Sequence, residues 1–195
     1  MRLFILLLFL LPVSVSGFAT PHPTDSINFD QVNVPYLEKL VKFKIDSIRH
    51  SLGLNSLQTD ITLYKAARDH AIYLKNRRTI GHFQNNHVKK TAFKRAMYYG
   101  ADQLKAVGEN VAWNAVERLA EHNKRTGKTS YRYFYTYDRL ANALVEAWLT
   151  SLPHYQTLKR KDFDYTAVSI AYDQVRKEFT CVQVFAEYFE NSAQR

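Results

Sequence analysis

The chain has 195 residues, which suits one domain at the usual ~100–200 residues each, and 46% of them are hydrophobic, so a full core can form. Its single cysteine, Cys181, excludes an internal disulfide, and stability must come from packing. The net charge of +9 gathers in short runs such as Lys89, Lys90, Lys94, Arg95 and Lys159, Arg160, Lys161. Most of it reads as a solvated basic surface, and an exported protein with such charge meets anionic glycans, lipids or cell-wall polymers rather than nucleic acid.

In chain order, residues 1–17 combine a positive start at Arg2, an apolar run from Leu3 to Leu11 and small residues at Ser14, Ser16 and Gly17. That pattern predicts a secretory signal peptide cleaved near residues 16–19. The apolar run is too short to cross a hydrocarbon layer of ~30 Å. No later stretch is long and apolar enough either, so the mature chain is expected to be secreted or periplasmic and not to span a membrane. No cysteine follows the signal to carry a lipid anchor. Residues 18–33, with Pro21 and Pro23, lack periodicity and read as a linker without structure.

From Tyr36 to Leu52, Leu37, Leu40, Val41, Ile45 and Ile48 recur at helical spacing, with Gly53 as the stop. A second helix, capped by Thr59 or Asp60, carries the stripe Leu63, Ala66 or Ala67, His70, Ala71 and Leu74 and ends before Gly81. His70 on that stripe reads as a hydrogen-bonded core residue. His82 follows the helix in a loop, where a side chain can face a cleft. Residues 87–99 predict a third helix stopped by Gly100, and 107–114 a short strand.

Residues 116–137 are ambiguous, with a helical option over 117–122, a polar loop over 125–130 and then an aromatic run of Tyr131, Tyr133, Phe134, Tyr135 and Tyr137. That run reads as a flap over the core, with stacking on bases or sugars as the other option. A helix from Tyr137 or Asp138, with Asp138 as a plausible cap, runs through Trp148 to Pro153, leaving His154 just beyond its end. Residues 166–173 and 180–188 then alternate as an antiparallel hairpin joined through 174–178, and Cys181 within it reads as a buried, inert thiol. This order implies an α+β fold, an antiparallel sheet covered by helices on both faces, spanning residues 34–191.

The stretch Ala106-Val107-Gly108-Glu109-Asn110-Val111-Ala112-Trp113 stands out because it places a carboxylate and an amide in an apolar run, after a glycine free to adopt unusual backbone angles. A carboxylate there needs partners, since burying it unpaired costs several kcal/mol. His82 and His154 are the candidates. Gly108-Glu109-Asn110-Val111-Ala112 resembles the Gly-Glu-Asn-(Ile/Val/Leu)-Ala motif of the CAP superfamily, the cysteine-rich secretory, antigen 5 and pathogenesis-related 1 proteins. Further matches follow in order: Leu54-Asn55-Ser56-Leu57, then Ala66-Ala67 with His70, Gly81-His82-Phe83, and Phe93 to Gly100. Ala147-Trp148-Leu149-Thr150-Ser151-Leu152-Pro153-His154 is similar to the family's Ala-Trp-Met-Asn-Ser-Pro-Gly-His, and Val182-Gln183-Val184-Phe185 to its last strand. Together they cover about residues 36–189, and the scarcity of cysteines resembles the bacterial branch.

The resemblance implies an α-β-α sandwich in which His82, Glu109 and His154, far apart in sequence, meet in a central cleft with Asn110 and Trp113 beside them. It also makes residues 115–137 an insertion. Two imidazoles and a carboxylate have the ligand types of an open site for zinc or another divalent metal, and equally suit an acid/base pair. Many family members have a second cleft glutamate where Ser151 stands here, so the family's ligand set is incomplete. Ser151 itself reads as a residue bonding its own backbone at a helix end. No His-Glu-x-x-His, Gly-x-Ser-x-Gly or phosphate-loop pattern occurs. The expectation is therefore an exported binding protein whose cleft holds a metal ion or a small ligand, such as a lipid, sterol or envelope glycan. The alternative is a metal-assisted or histidine-based extracellular hydrolase of peptide or ester bonds.

Overall fold

The structure, a computed structural model, describes residues 21–133 and 135–189. The expected signal peptide lies outside them. Helix α1 (Val34–Ser51) starts where the Asn33 side chain accepts from the Tyr36 N–H, and it buries Leu37, Leu40, Val41 and Ile45. Strand β1 (Gln58–Thr59) leads into α2 (Ile61–Arg77), capped by the Asp60 carboxylate on the N–H groups of Thr62 and Leu63. Then come α3 (Ala92–Tyr98), β2 (Leu104–Ala115), β3 (Arg118–Asn123), β4 (Lys128–Tyr133), α4 (Tyr137–Leu149), α5 (Leu152–Leu158), β5 (Tyr165–Asp173) and β6 (Glu178–Tyr188).

The main sheet has the order β1-β5-β6-β2. Its two long pairings are antiparallel, as expected, but β1 joins β5 in parallel, so the sheet is mixed. A two-residue strand has too little pattern to be read from sequence. Because side chains alternate across a strand, β5 and β6 bury both faces. Ala167, Ala171, Val182, Val184 and Ala186 pack with Val111 of β2 against Leu63, Ala66, Ala67 and Leu74 of α2 and Ala96 of α3. On the other face Val168, Ile170, Phe179, Cys181 and Ala112 meet α1 and the Leu140, Leu144, Val145 and Trp148 stripe of α4. This is the helix-sheet-helix sandwich expected, and Cys181 is buried as expected, its thiol pushed up by burial.

Several local expectations are corrected. The described part of the 18–33 linker is packed: Ser26 bridges Thr136, the Ile27 N–H donates to the Tyr135 carbonyl at 2.8 Å, and Ile27 and Phe29 are buried. Apolar contact, not periodicity, orders it. Residues 118–123 are a strand rather than a helix, paired with β4 as a separate hairpin. Of the aromatic run, Tyr135 and Tyr137 are core residues, as a covering role requires, while Phe134 lies outside the described residues. The α4 cap is Thr136, whose hydroxyl accepts from the Arg139 N–H, while Asp138 binds Lys44 at 2.6 Å. The third helix is shorter than expected, and Pro153, rather than ending a helix, sits in the first turn of α5, a position that tolerates its missing N–H.

Gly108 does not supply an unusual backbone angle, since it is not among the glycines of positive φ. Its role is close approach: a Cβ there would lie 2.8 Å from both the Phe163 ring and the Thr157 methyl. Phe163 is itself stacked on Phe185, so it has little room to yield. Gly108→Ala is expected to lower stability by about 1–3 kcal/mol, the scale of overpacking, measured by urea unfolding. An unchanged midpoint would refute this role.

Candidate functional site

Glu109 and Asn110 are neighbours on β2, the edge strand of the sheet, so they point to opposite faces. Glu109 faces α2 and α3, where the loop after α2 brings His82. Asn110 faces the opposite layer, where its amide donates to the His154 carbonyl of α5 at 3.1 Å. The two histidines thus approach from opposite faces and meet at the free edge of β2, with ring centroids 6.0 Å apart. A cavity of about 300 Å³ opens beside His82 and Glu109, walled by Phe83, Phe93 and Val107.

The Glu109 carboxylate is buried, 4% exposed. One oxygen accepts from the Arg95 guanidinium and the other from His82 Nδ1 at 3.0 Å. His70 Nε2 lies 3.7 Å from that second oxygen but donates to the Gly81 carbonyl at 2.9 Å. That bond fixes the tautomer, since a carbonyl only accepts, and leaves His70 Nδ1 to accept from the Gln84 amide at 3.3 Å. His70 is therefore the bonded core residue expected. Gln84 also donates to Asp69, which pairs with Lys89 at 2.8 Å. Arg95, fully buried, further donates to the carbonyls of His82, Lys89 and Lys90 and so binds the 82–90 loop to β2.

Four expectations about the site change. Glu109 is not a free ligand, because both oxygens are engaged, and among the described residues no group of three His, Cys, Asp or Glu could hold a metal ion. A carboxylate facing a buried guanidinium is already neutralised, so the three-ligand set His82, Glu109, His154 does not form. Asn110 positions His154 rather than lining the cleft. Trp113 is on Glu109's face, but four residues along a strand is about 14 Å, and it lines a different cavity. Ser151 starts α5 without a side-chain capping bond, so it does not close a helix end as expected.

What remains at the edge of β2 is a pair of imidazoles. Since a carboxylate only accepts, His82 Nδ1 carries its proton toward Glu109, and in the neutral ring Nε2 keeps its lone pair. A carboxylate holding the far nitrogen of a histidine is the usual second layer of a metal-bound imidazole. His154 Nδ1 is buried without a partner, and burial, with His82 nearby, pushes its imidazole below the ordinary value, so it is neutral at neutral pH. Two imidazole nitrogens are ligand types that suit a divalent ion, with Glu109 orienting one of the rings.

The sequence reading missed Arg95, Gln84 and Asp69. Arg95 was one cation in a basic run, and nothing in the spacing separates it from Lys94 beside it.

A helix-clad sheet with a histidine pair over a buried carboxylate at its edge defines an edge-cleft sandwich protein. The family model described as the cysteine-rich secretory protein family matches residues 43–185, and the chain belongs to that family. Among solved structures, the chain is similar to an outer surface protein from Borrelia burgdorferi, with a TM-score of 0.63 and 23% identity over 81% of this chain and 97% of that one. It is also similar to an extracellular protein containing an SCP domain from Bacillus anthracis, with a TM-score of 0.55 and 20% identity over 77% of this chain and 40% of that one. These likenesses show the fold. No curated protein matches the chain.

Two outcomes test the network. Arg95→Met leaves Glu109 buried without its cation and is expected to cost about 3–5 kcal/mol, while Arg95→Met with Glu109→Met recovers part of the loss. Additive losses in urea unfolding would show that the pair is not coupled. The second outcome concerns pH. Burial, the largest cause, pushes the His70 imidazole below its ordinary value of 6.5, against the pull of Glu109. A depressed folded pKa makes the unfolded chain the better proton acceptor. Stability is then fully present above about 6.5 and is lost as pH falls toward the folded value. His70→Gln is expected to flatten that slope between about pH 7 and 5, read from urea midpoints.

Proposed function

We propose that this protein is an exported binding module whose cleft takes a small ligand, a divalent cation included, between His82 and His154. The observation that carries this reading is the orientation of His82: Glu109 holds its Nδ1 at 3.0 Å, which presents the other ring nitrogen at an edge where the His154 ring is 6.0 Å away, centroid to centroid. Asn110 sets His154 from behind, Arg95 fixes the loop carrying His82, and Phe83 and Phe93, both exposed, offer apolar walls to the organic part of a ligand such as a lipid or envelope component. A bound dication would supply a positive centre for a carboxylate, phosphate or carbonyl group of that ligand. Export is supported by the expected signal segment and by the outer surface and extracellular descriptions of the two similar structures. No helix among the described residues is long and apolar enough to cross a membrane. No observation favours the hydrolytic alternative.

The test is calorimetric titration with zinc chloride. One ion per chain is expected, with the heat abolished by His82→Ala or His154→Ala and retained in Trp113→Ala. Glu109→Gln is expected to weaken binding by about 10–100-fold, the usual effect of removing a partner that orients a metal-bound histidine. Lowering the pH should weaken it too, because protons compete for the imidazoles. If the His82→Ala, His154→Ala double variant gives the wild-type heat, the reading is wrong.

A further inference from the structure

The second cavity on Glu109's side of β2 has the chemistry of a separate site. It measures about 310 Å³, within the range of small-molecule pockets. Its floor is Leu74 of α2, 1% exposed, and its walls include Trp113, 49% exposed, and Ile80, 61% exposed. An indole and an isoleucine held half-open around one cavity form an apolar surface that has not been spent on the core.

The charges around it are one-sided. Arg176 is committed to Asp173 and Glu178, each at 2.8 Å, so Glu178, the only carboxylate lining the cavity among the described residues, is already paired. Lys75 and Arg78 also line it, Lys75 acting on the Asp173 carboxylate only through space while Arg176 holds that carboxylate directly. Both are fixed through their main chains: Arg78 sits in the left-handed region at φ 53 as the α2 cap, its N–H bonded to Lys75, and the Lys75 carbonyl also accepts from Arg176. The cavity therefore joins an aromatic plane and an apolar floor to two cations whose side chains, among the described residues, are not tied up in an ion pair as Arg176 is.

We propose that this cavity binds a small carboxylate or sulfonate carried on a flat apolar ring, with the ring against Trp113 and the anion at Lys75 and Arg78. The site is distinct from the histidine cleft, since Glu109 and Trp113 stand about 14 Å apart along β2. Two cations at the end of α2 beside an aromatic wall favour an anion, and the cavity volume limits the ligand to a few fused rings. A bare anion lacks the ring contact, and a neutral ring lacks the charge; each should bind more weakly than the two combined.

The experiment uses anilinonaphthalene sulfonate and the uncharged phenylnaphthylamine as paired probes. The chain has two tryptophans, and Trp148 is fully buried, so Trp113 is the exposed donor for energy transfer to a bound naphthalene. The sulfonate is expected to bind at one site with transfer from Trp113, and the Lys75→Gln, Arg78→Gln double variant to weaken it about tenfold, the combined effect of two exposed charge contacts. The same variant should leave the uncharged probe unchanged, Trp113→Ala should weaken both, and Trp113→Phe should keep binding while reducing the transfer to the share supplied by Trp148. The His82→Ala, His154→Ala variant should bind the sulfonate as wild type does, so this site and the histidine cleft fail separately. Equal affinity for the two probes with no effect of the double variant overturns the proposal, leaving an apolar patch only. A concentration-dependent dimer abolished by Trp113→Ala, with no sulfonate binding, overturns it in favour of a second copy of the chain.

Discussion

The cleft depends on a buried guanidinium facing a buried carboxylate. Arg95 is fully buried and Glu109 nearly so, and withdrawing each charge from water costs several kcal/mol before their attraction is counted. Such a pair persists only where the remaining donors and lone pairs are also satisfied. Here the terminal nitrogens of Arg95 also donate to the carbonyls of His82, Lys89 and Lys90, leaving only Nε without a partner among the described residues, and Glu109 accepts from His82. The pair is thus the centre of a network that fixes a loop lacking regular structure, and the loop in turn places the one exposed imidazole whose orientation gives the cleft its chemistry.

A second arginine does the same work elsewhere. Arg49, 2% exposed at the end of α1, donates to the carbonyls of Asn55, Leu158, Arg160 and Phe163, between 2.8 and 3.4 Å, and burial pushes its guanidinium down. It ties the loop after α1 to the chain between α5 and β5, the segment against which Gly108 must pack. In a chain with one cysteine, covalent staples are absent, and the long irregular stretches on both sides of the sheet are held by guanidinium groups that each cross-link several carbonyls. Five donors in one planar fork suit arginine to that task, whereas lysine offers a single point of charge.

The histidine pair and the tryptophan cavity lie on one edge strand but differ in what they offer. At Glu109 the strand presents nitrogen donors backed by a neutralised carboxylate. Near its C-terminal end, at Trp113, it presents an apolar surface rimmed by cations. The histidine pair arises because β2 has β6 on one side only, so loops and helix ends cover its free edge, whereas the tryptophan cavity lies between the end of α2 and the paired β2 and β6.

The α1, α2 and α4 helices and the β5–β6 hairpin were legible because their apolar residues recur with a period close to 3.6 or 2, which local geometry alone imposes. The family motif located Glu109 and both histidines. Their convergence is a matter of layers, His82 from one face and His154 from the other. The role of Arg95 could not be read, because a buried arginine and a solvated one have the same sequence neighbours; only the carboxylate arriving from β2 distinguishes it. Trp113 and Asn110 were placed in the cleft because they adjoin Glu109 in sequence, but strand alternation turns Asn110 to the other face and four residues of extended chain carry Trp113 away. What the sequence determined by itself was the set of amphipathic elements and the residue types of the site. Which of those residues face each other was decided by tertiary structure, because pairing across an edge strand depends on distances between elements that no local period encodes.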